Sequence, residues 1–190
     1  IYSIDELIQE FSLDRVSKSG AKFDFEKAKW FNHQYLQQKS DAEIAELFLP
    51  ELQKHGIADF PKATLEHICG LMKERVNFVS ELWEQTSFFF VVPTEFDEKS
   101  LKKRWKEESP RQMQEMYELL EKQGDFSASA LDKVVMDWIA QKEYGVGLVM
   151  NAFRICLVGA ARGPHIWEIT DVIGKAETLR RMQYALEAIA

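Results

Sequence analysis

Apolar residues recur at intervals of three and four along most of the chain, the period of helices packed by one face, and no sustained alternation predicts a strand. Ser40 stands three residues before Glu43, the spacing of a capping box, and opens "AEIAELFLPEL". Ile44, Leu47 and Phe48 form the stripe of that helix, and Pro50 should interrupt or bend it. Leu65, Ile68, Cys69, Met72, Val76, Val79 and Trp83 predict one continuous second helix through "TLEHICGLMKERVNFVSELWEQ". The "SFFFVVPTEF" that follows is too apolar for a surface linker and is expected to cross as an irregular or extended segment ended by Pro93.

The charged run "DEKSLKKRWKEESP" reads as a solvated face leading into a helix over about 111–123, which Gly124 stops. Ser129 is placed to cap "ALDKVVMDWIAQKEYG", burying Leu131, Val134, Val135, Trp138 and Ile139. Gly145 and Gly147 then break the chain. "LVMNAFRICLV" closes at Gly159, and after "GAARGP" the pair "HIWEITDVIG" and "KAETLRRMQYALEAI" is divided by Gly174. Only about the first 35 residues lack this bundle pattern, which puts a boundary near Ser40. The fold class is all-α.

With 190 residues, 46% of them apolar, the chain can bury a core as one large domain or two small ones. No apolar run approaches the roughly 18–20 residues that span a bilayer, and the acidic opening "IYSIDELIQEF" lacks the basic region of a signal peptide, so cytoplasm is the expectation. Cys69 and Cys156 sit in apolar helical patterns without partners at metal-ligand spacing and are expected to be inert buried thiols. The net charge of −7 argues against nonspecific nucleic-acid binding. It is unevenly spread, however: residues 1–98 carry −8 and residues 99–190 carry +1, so a polyanion would approach the second half.

Candidate chemistry is sparse. The four histidines have no second ligand at metal spacing, and G-x-S-x-G, H-E-x-x-H and G-x-G-x-x-G are absent, so neither catalytic nor metal-ligating residues are expected. "RVSKSG" at 15–20 lacks the glycines and spacing of a phosphate-cradling Walker loop. Arg75 stands at the margin of an apolar stripe, and Arg154 points away from the stripe of its own helix; periodicity alone allows each a solvated or a ligand-binding role. In "ARGPHIWEI", Gly163-Pro164 should put proline at the first helical position and leave the early N–H groups directed outward, which suits an anion or a base edge as well as an ordinary helix start.

Three blocks together resemble the C-terminal part of bacterial glutamyl-tRNA synthetases. "DRVSKSGAKFDFEKAKWFNHQYL" is similar to that family's V-S-K-x-G-x-x-F-D-x-x-K-L-x-W-x-N run after the catalytic fold, and "LMKER" to the arginine-ended helix of the first anticodon-binding subdomain. "RICLVGAARGPHIWEITDVIGKAETLRRMQYAL" is similar to the signature of the second subdomain. The resemblance implies tandem helical-bundle subdomains of the class I synthetase type. It divides the chain into a short irregular stem-contact remnant at 1–39, a first anticodon-binding subdomain at 40–110 and a second at 111–190.

The partner so implied is glutamate tRNA, bound by a monomer. ATP and magnesium would serve the parent ligase, whose H-I-G-H element is not in this sequence, and the fragment itself would need no cofactor and be inactive alone. Arg75 falls where the family reads the last anticodon base, Arg154 where it reaches the anticodon loop, and Gly163, Pro164 and Ile166 on the turn and helix start that pack against splayed bases. Some relatives have threonine at 163; glycine there leaves only backbone groups to meet RNA. The alternative left open is an acidic helical module whose arginines meet carboxylates of a protein partner.

Overall fold

The computed structural model describes residues 1–16, 18–20 and 22–189; Ser17, within the "RVSKSG" stretch, lies outside them. Among the described residues there are ten α-helices and no strand, in line with the all-α expectation. They are α1 Ile4–Glu10, α2 Phe25–Gln38, α3 Asp41–Lys54, α4 Lys62–Met72, α5 Leu82–Phe90, α6 Glu98–Arg104, α7 Ser109–Glu121, α8 Ala128–Gln141, α9 Val146–Val158 and α10 Ile166–Ala188. Two compact units divide the chain, Ile1–Trp83 and Glu84–Ala190.

In the first unit, the N-terminal 39 residues hold α1, a 3-10 turn at Leu13–Arg15 and α2, and of the described residues in this stretch Leu36 alone is buried. The capping box forms as its spacing predicts: Ser40 N–H donates to Glu43 Oε2 at 2.8 Å, and Glu43 N–H to Ser40 Oγ at 3.2 Å. α3 runs through Pro50 without ending. It packs on α4 with Ile44, Ala45, Phe48 and Leu52 against Leu65, Ile68, Cys69 and Met72, and Leu47, expected in the stripe, is 49% exposed. Beyond the end of α3, the His55 ring lies flat on Trp83, 3.7 Å between centroids.

The continuous helix expected through 64–85 does not form. α4 ends at Met72, Lys73–Arg75 make a 3-10 turn, and Val76 is extended (φ −121°) with its side chain buried. The cause is competition for backbone groups. Gln37 of α2 donates to Lys73 O at 2.7 Å, His33 Nδ1–H donates to Val76 O at 2.8 Å, and Asn32 donates to Asn77 O. Asn77 N–H goes instead to the Glu81 carboxylate at 2.7 Å.

In the second unit α10 packs against α7, α8 and α9. Met113, Met116 and Leu120 of α7, Leu131, Val135 and Ile139 of α8, Val149 and Phe153 of α9 and Trp167, Ile169 and Met182 of α10 are buried there. The triple-phenylalanine run is helical rather than extended: α5 continues to Phe90, burying Phe88 and Phe89, because a short apolar run fits either geometry and the packing decides. α8 starts at Ala128 with Ser127, not Ser129, at the N-cap. α9 closes at Gly159 in the left-handed region (φ +77°), and α10 is kinked at Gly174. It begins at Ile166 with His165 as N-cap, so Pro164 precedes the cap instead of occupying the first helical position, and is itself buried.

Both cysteines are buried, as expected. Burial, then the nearby Asp41 and Glu66 carboxylates, pushes the Cys69 thiol up to about 12, and burial pushes Cys156 up as well, so neither supplies a thiolate near neutral pH. No helix among the described residues is long and apolar enough to cross a membrane.

Candidate functional site

In the second unit α8, α9 and the start of α10 line an open pocket of about 330 Å³. α8 contributes Asp132 and Met136, α9 contributes Val146, Met150, Asn151 and Arg154, and the start of α10 contributes His165, Ile166 and Trp167. Ile166 and Trp167 are buried by the core stripe of α10, whereas His165 and Met136 are exposed at the rim. Trp167 Nε1–H donates to Asp132 Oδ1 at 2.6 Å, which fixes the carboxylate on the cavity wall. His165 N–H donates to Glu168 Oε2 at 2.8 Å and so secures the helix start.

Arg154 is part of the architecture as well as of the lining. One terminal nitrogen, Nη1, donates to Arg162 O at 3.1 Å and to Pro164 O at 2.7 Å, gripping the turn between α9 and α10. Gly163 sits between those carbonyls with φ +106°, and a Cβ there would come within 3.2 Å of the Phe88 ring and 3.5 Å of Arg154 Nη1. Glycine thus allows both the left-handed backbone and the close approach of the guanidinium. Met136, Met150, Ile166 and Trp167 give the cavity apolar walls, while Arg154, Asn151, Asp132 and His165 give it donors and acceptors of both kinds. A flat group with a polar edge, such as a nucleobase, matches that combination.

Arg75 lies in the first unit, at the end of the 3-10 turn that follows α4. The turn is held by Gln37 and His33, and its Lys73 pairs with Asp41 at 2.9 Å. Arg75 itself is exposed and makes no hydrogen bond or ion pair with a described residue. A rigid backbone therefore presents an uncommitted guanidinium to solvent.

Comparison with known proteins bears on these features. A family profile described as "Anticodon binding domain" matches residues 43–186, most of the chain. The chain belongs to the anticodon binding domain family. It is 57% identical over 190 residues to a glutamate–tRNA ligase of Bacteroides fragilis, covering 100% of this chain and 37% of that protein. It is also 48% identical over 189 residues to a glutamate–tRNA ligase of Porphyromonas gingivalis, again over 37% of its length. The crystal structure of a glutamate tRNA ligase from Elizabethkingia meningosepticum, in complex with its amino acid, superposes with a TM-score of 0.91 at 39% identity, over 100% of this chain and 38% of that one. The chain thus spans little more than a third of the relatives it matches.

Of the residues singled out from the sequence, Arg154 and Ile166 meet in one cavity of this anticodon binding domain, and Gly163 and Pro164 form the turn that Arg154 grips. Asp132, Asn151, His165 and Trp167 were not among them. His165 and Trp167 flank Ile166 and could have been found by proximity. Asp132 is 35 positions from Trp167, and nothing local marks it. Among the described residues no group of three or more His, Cys, Asp or Glu could hold a metal ion.

Proposed function

We propose that this anticodon binding domain selects glutamate tRNA by its anticodon, as part of a cytoplasmic glutamate–tRNA ligase. The observation that carries this is the cavity between α8, α9 and α10, where a fixed arginine, an amide, a carboxylate and a histidine edge apolar walls within a chain of the anticodon binding domain family. Sequence-specific RNA recognition favours unstacked loop bases, whose edges can be hydrogen-bonded and whose faces can lie on apolar side chains. In this reading Arg154, Gly163, Pro164 and Ile166 receive one splayed base and Arg75 reads another. Residues 1–39 face the tRNA stem, while 40–110 and 111–190 are the two anticodon-binding parts of a monomer.

The ATP- and magnesium-dependent activation of glutamate would belong to the rest of such a ligase. The described residues contain no cluster suited to the ion, so no step of that chemistry is assigned to them.

Filter binding with a transcribed glutamate tRNA, against the same transcript with a scrambled anticodon, tests the proposal. The cognate transcript is expected to bind more tightly; equal retention of both would leave the cavity without a role in anticodon choice. Arg75→Ala should weaken cognate binding by about 1–3 kcal/mol and relax discrimination at one anticodon position. A titration in which every tRNA loses affinity equally would make Arg75 a phosphate contact instead. Parallel titrations with glutamine tRNA should show weaker binding than with glutamate tRNA, since a single arginine at 75 favours discrimination between the two.

A further inference from the structure

Asp132 lines the Arg154 pocket with its bonding half complete. Trp167 Nε1–H donates to its Oδ1 at 2.6 Å, and no described residue donates to Oδ2. Trp167 is buried and packs on Phe153, so its N–H is a fixed donor that holds the carboxylate in one orientation. Two neighbouring donors are already engaged with carbonyls: Asn151 Nδ2 donates to Gly147 O at 2.5 Å, and Arg154 Nη1 grips the turn. Among the described residues Asp132 is the only carboxylate of the lining.

Anchoring the indole accounts for one oxygen only. A neutral amide or hydroxyl would accept from Trp167 as well, without placing a charge on the pocket wall. A carboxylate there repels the phosphates of an RNA, and that cost is offset where the incoming group brings an N–H to the free oxygen in a charge-assisted bond. The same oxygen disfavours a base that presents a lone pair, because both acceptors then lose their partners.

The genetic code supplies the base. Glutamate anticodons are UUC and CUC, which share the middle uridine and the final cytidine. With the final base read by Arg75, the shared base left for the Arg154 pocket is the uridine. Its pairing edge carries a donor at N3, where cytidine has a lone pair.

We propose that Asp132 is a specificity-determining residue: its Oδ2 accepts the N3–H of the middle anticodon uridine and disfavours cytidine there, while Trp167 fixes the carboxylate in place. This role rests on the anticodon reading above and adds to it the group that tells uridine from cytidine. Replacement by asparagine should reverse the preference. In Asp132→Asn only the amide oxygen can accept from Trp167, which turns the NH2 to the position of Oδ2. A donor then stands where the acceptor was, and cytidine N3 becomes the better match.

The test is filter binding to the 190-residue chain of glutamate tRNA transcripts with uridine or cytidine at the middle anticodon position, beside the scrambled anticodon. The wild type should favour uridine by about 10- to 100-fold, the range of one hydrogen bond to a charged group. Asp132→Asn, its folding checked by circular dichroism, should bring that ratio to parity or below. Adding Trp167→Phe frees the amide to turn and should cancel the gain for cytidine, a reversal that lost packing does not produce. A synthetic anticodon stem-loop with 3-methyluridine at that position lacks the N3–H and should bind the wild type more weakly than its uridine counterpart, a measurement that needs no variant to fold. Equal binding of 3-methyluridine and uridine overturns the role of Asp132. So does a folded Asp132→Asn that keeps the wild-type ratio or weakens toward both transcripts alike, and the anticodon reading then stands. Equal binding of uridine and cytidine by the wild type, with the scrambled anticodon still refused, overturns the uridine assignment alone; equal binding of all three overturns the pocket's part in anticodon choice.

Discussion

Replacing Arg181 with methionine is expected to lower the unfolding free energy by about 3–5 kcal/mol, seen as a drop in denaturant midpoint with little change in slope. Arg181 is 3% exposed. Its Nη1 donates to Phe88 O at 2.7 Å and to Leu157 O at 2.9 Å, both in last turns, of α5 and α9, where carbonyls have no helical partner. One guanidinium therefore caps two helices at the ends where their dipoles favour positive charge. Methionine would fill much of the volume but leave two buried carbonyls unpaired, each at a cost of about 1–3 kcal/mol. The Phe88 ring lies beneath Gly163, so the same arginine indirectly supports the turn of the candidate site.

Glu177 completes the arrangement, accepting from Arg181 Nε at 2.7 Å and from Arg180 Nε at 2.8 Å. Burial tends to raise its carboxyl, but the hydrogen bonds and charges of Arg180 and Arg181 outweigh that and hold it below the usual glutamate range. A folded-state value below the unfolded one means stability that is present above the unfolded value and lost as pH falls through the folded one. Wild-type stability should therefore decline from about pH 5 toward pH 3 more steeply than that of Glu177→Gln. Identical acid limbs in denaturant titrations would show that the pair contributes nothing to folding.

The same residues show what was legible in the sequence. Ser40 and Glu43 specify a helix start by themselves, because every partner in a capping box lies within four residues. The stripes of α8 and α9, and the stop at Gly159, were likewise readable from local periodicity and the left-handed backbone that glycine permits. The break after Met72 was not. Its apolar spacing continues without interruption, and the helix stops because Gln37 and His33, 36 and 43 positions away, take the carbonyls it needs. Arg154 illustrates the same limit: its spacing showed that it leaves the core face, but not that its Nη1 would bind two carbonyls of the next turn. Arg181 drew no notice at all, since an arginine beside Met182 on a helix reads as solvated until α5 and α9 are seen to end against it. Binding of a side chain to a distant helix end is a property of packing, and single-sequence patterns do not encode it locally.

Gly159→Ala should cost about 2–4 kcal/mol, although it adds a single methyl group. At φ +77° an L-residue carries the left-handed penalty of roughly 1–2 kcal/mol. Its Cβ would also stand 2.6 Å from Glu95 O and 3.1 Å from Pro93 Cβ, and a backbone carbonyl cannot swing aside as a side-chain end can. Relief would require the 93–97 segment to withdraw, yet Asp97 N–H is bonded to the carbonyl of Gly159 itself, so strain at one point is carried to the other. The turn that follows holds the two carbonyls gripped by Arg154, so under the proposed function the variant should bind glutamate tRNA less tightly even where it remains folded. Gly147→Ala in the same helix is the control: a Cβ there meets nothing within 4 Å, and alanine should be neutral or stabilise by about 0.5–1 kcal/mol. Thermal melts of the two variants should move in opposite directions. Matching shifts would mean that the close approach of residues 95 and 159 does not constrain the end of α9, and that the turn beyond it is set by Arg154 alone.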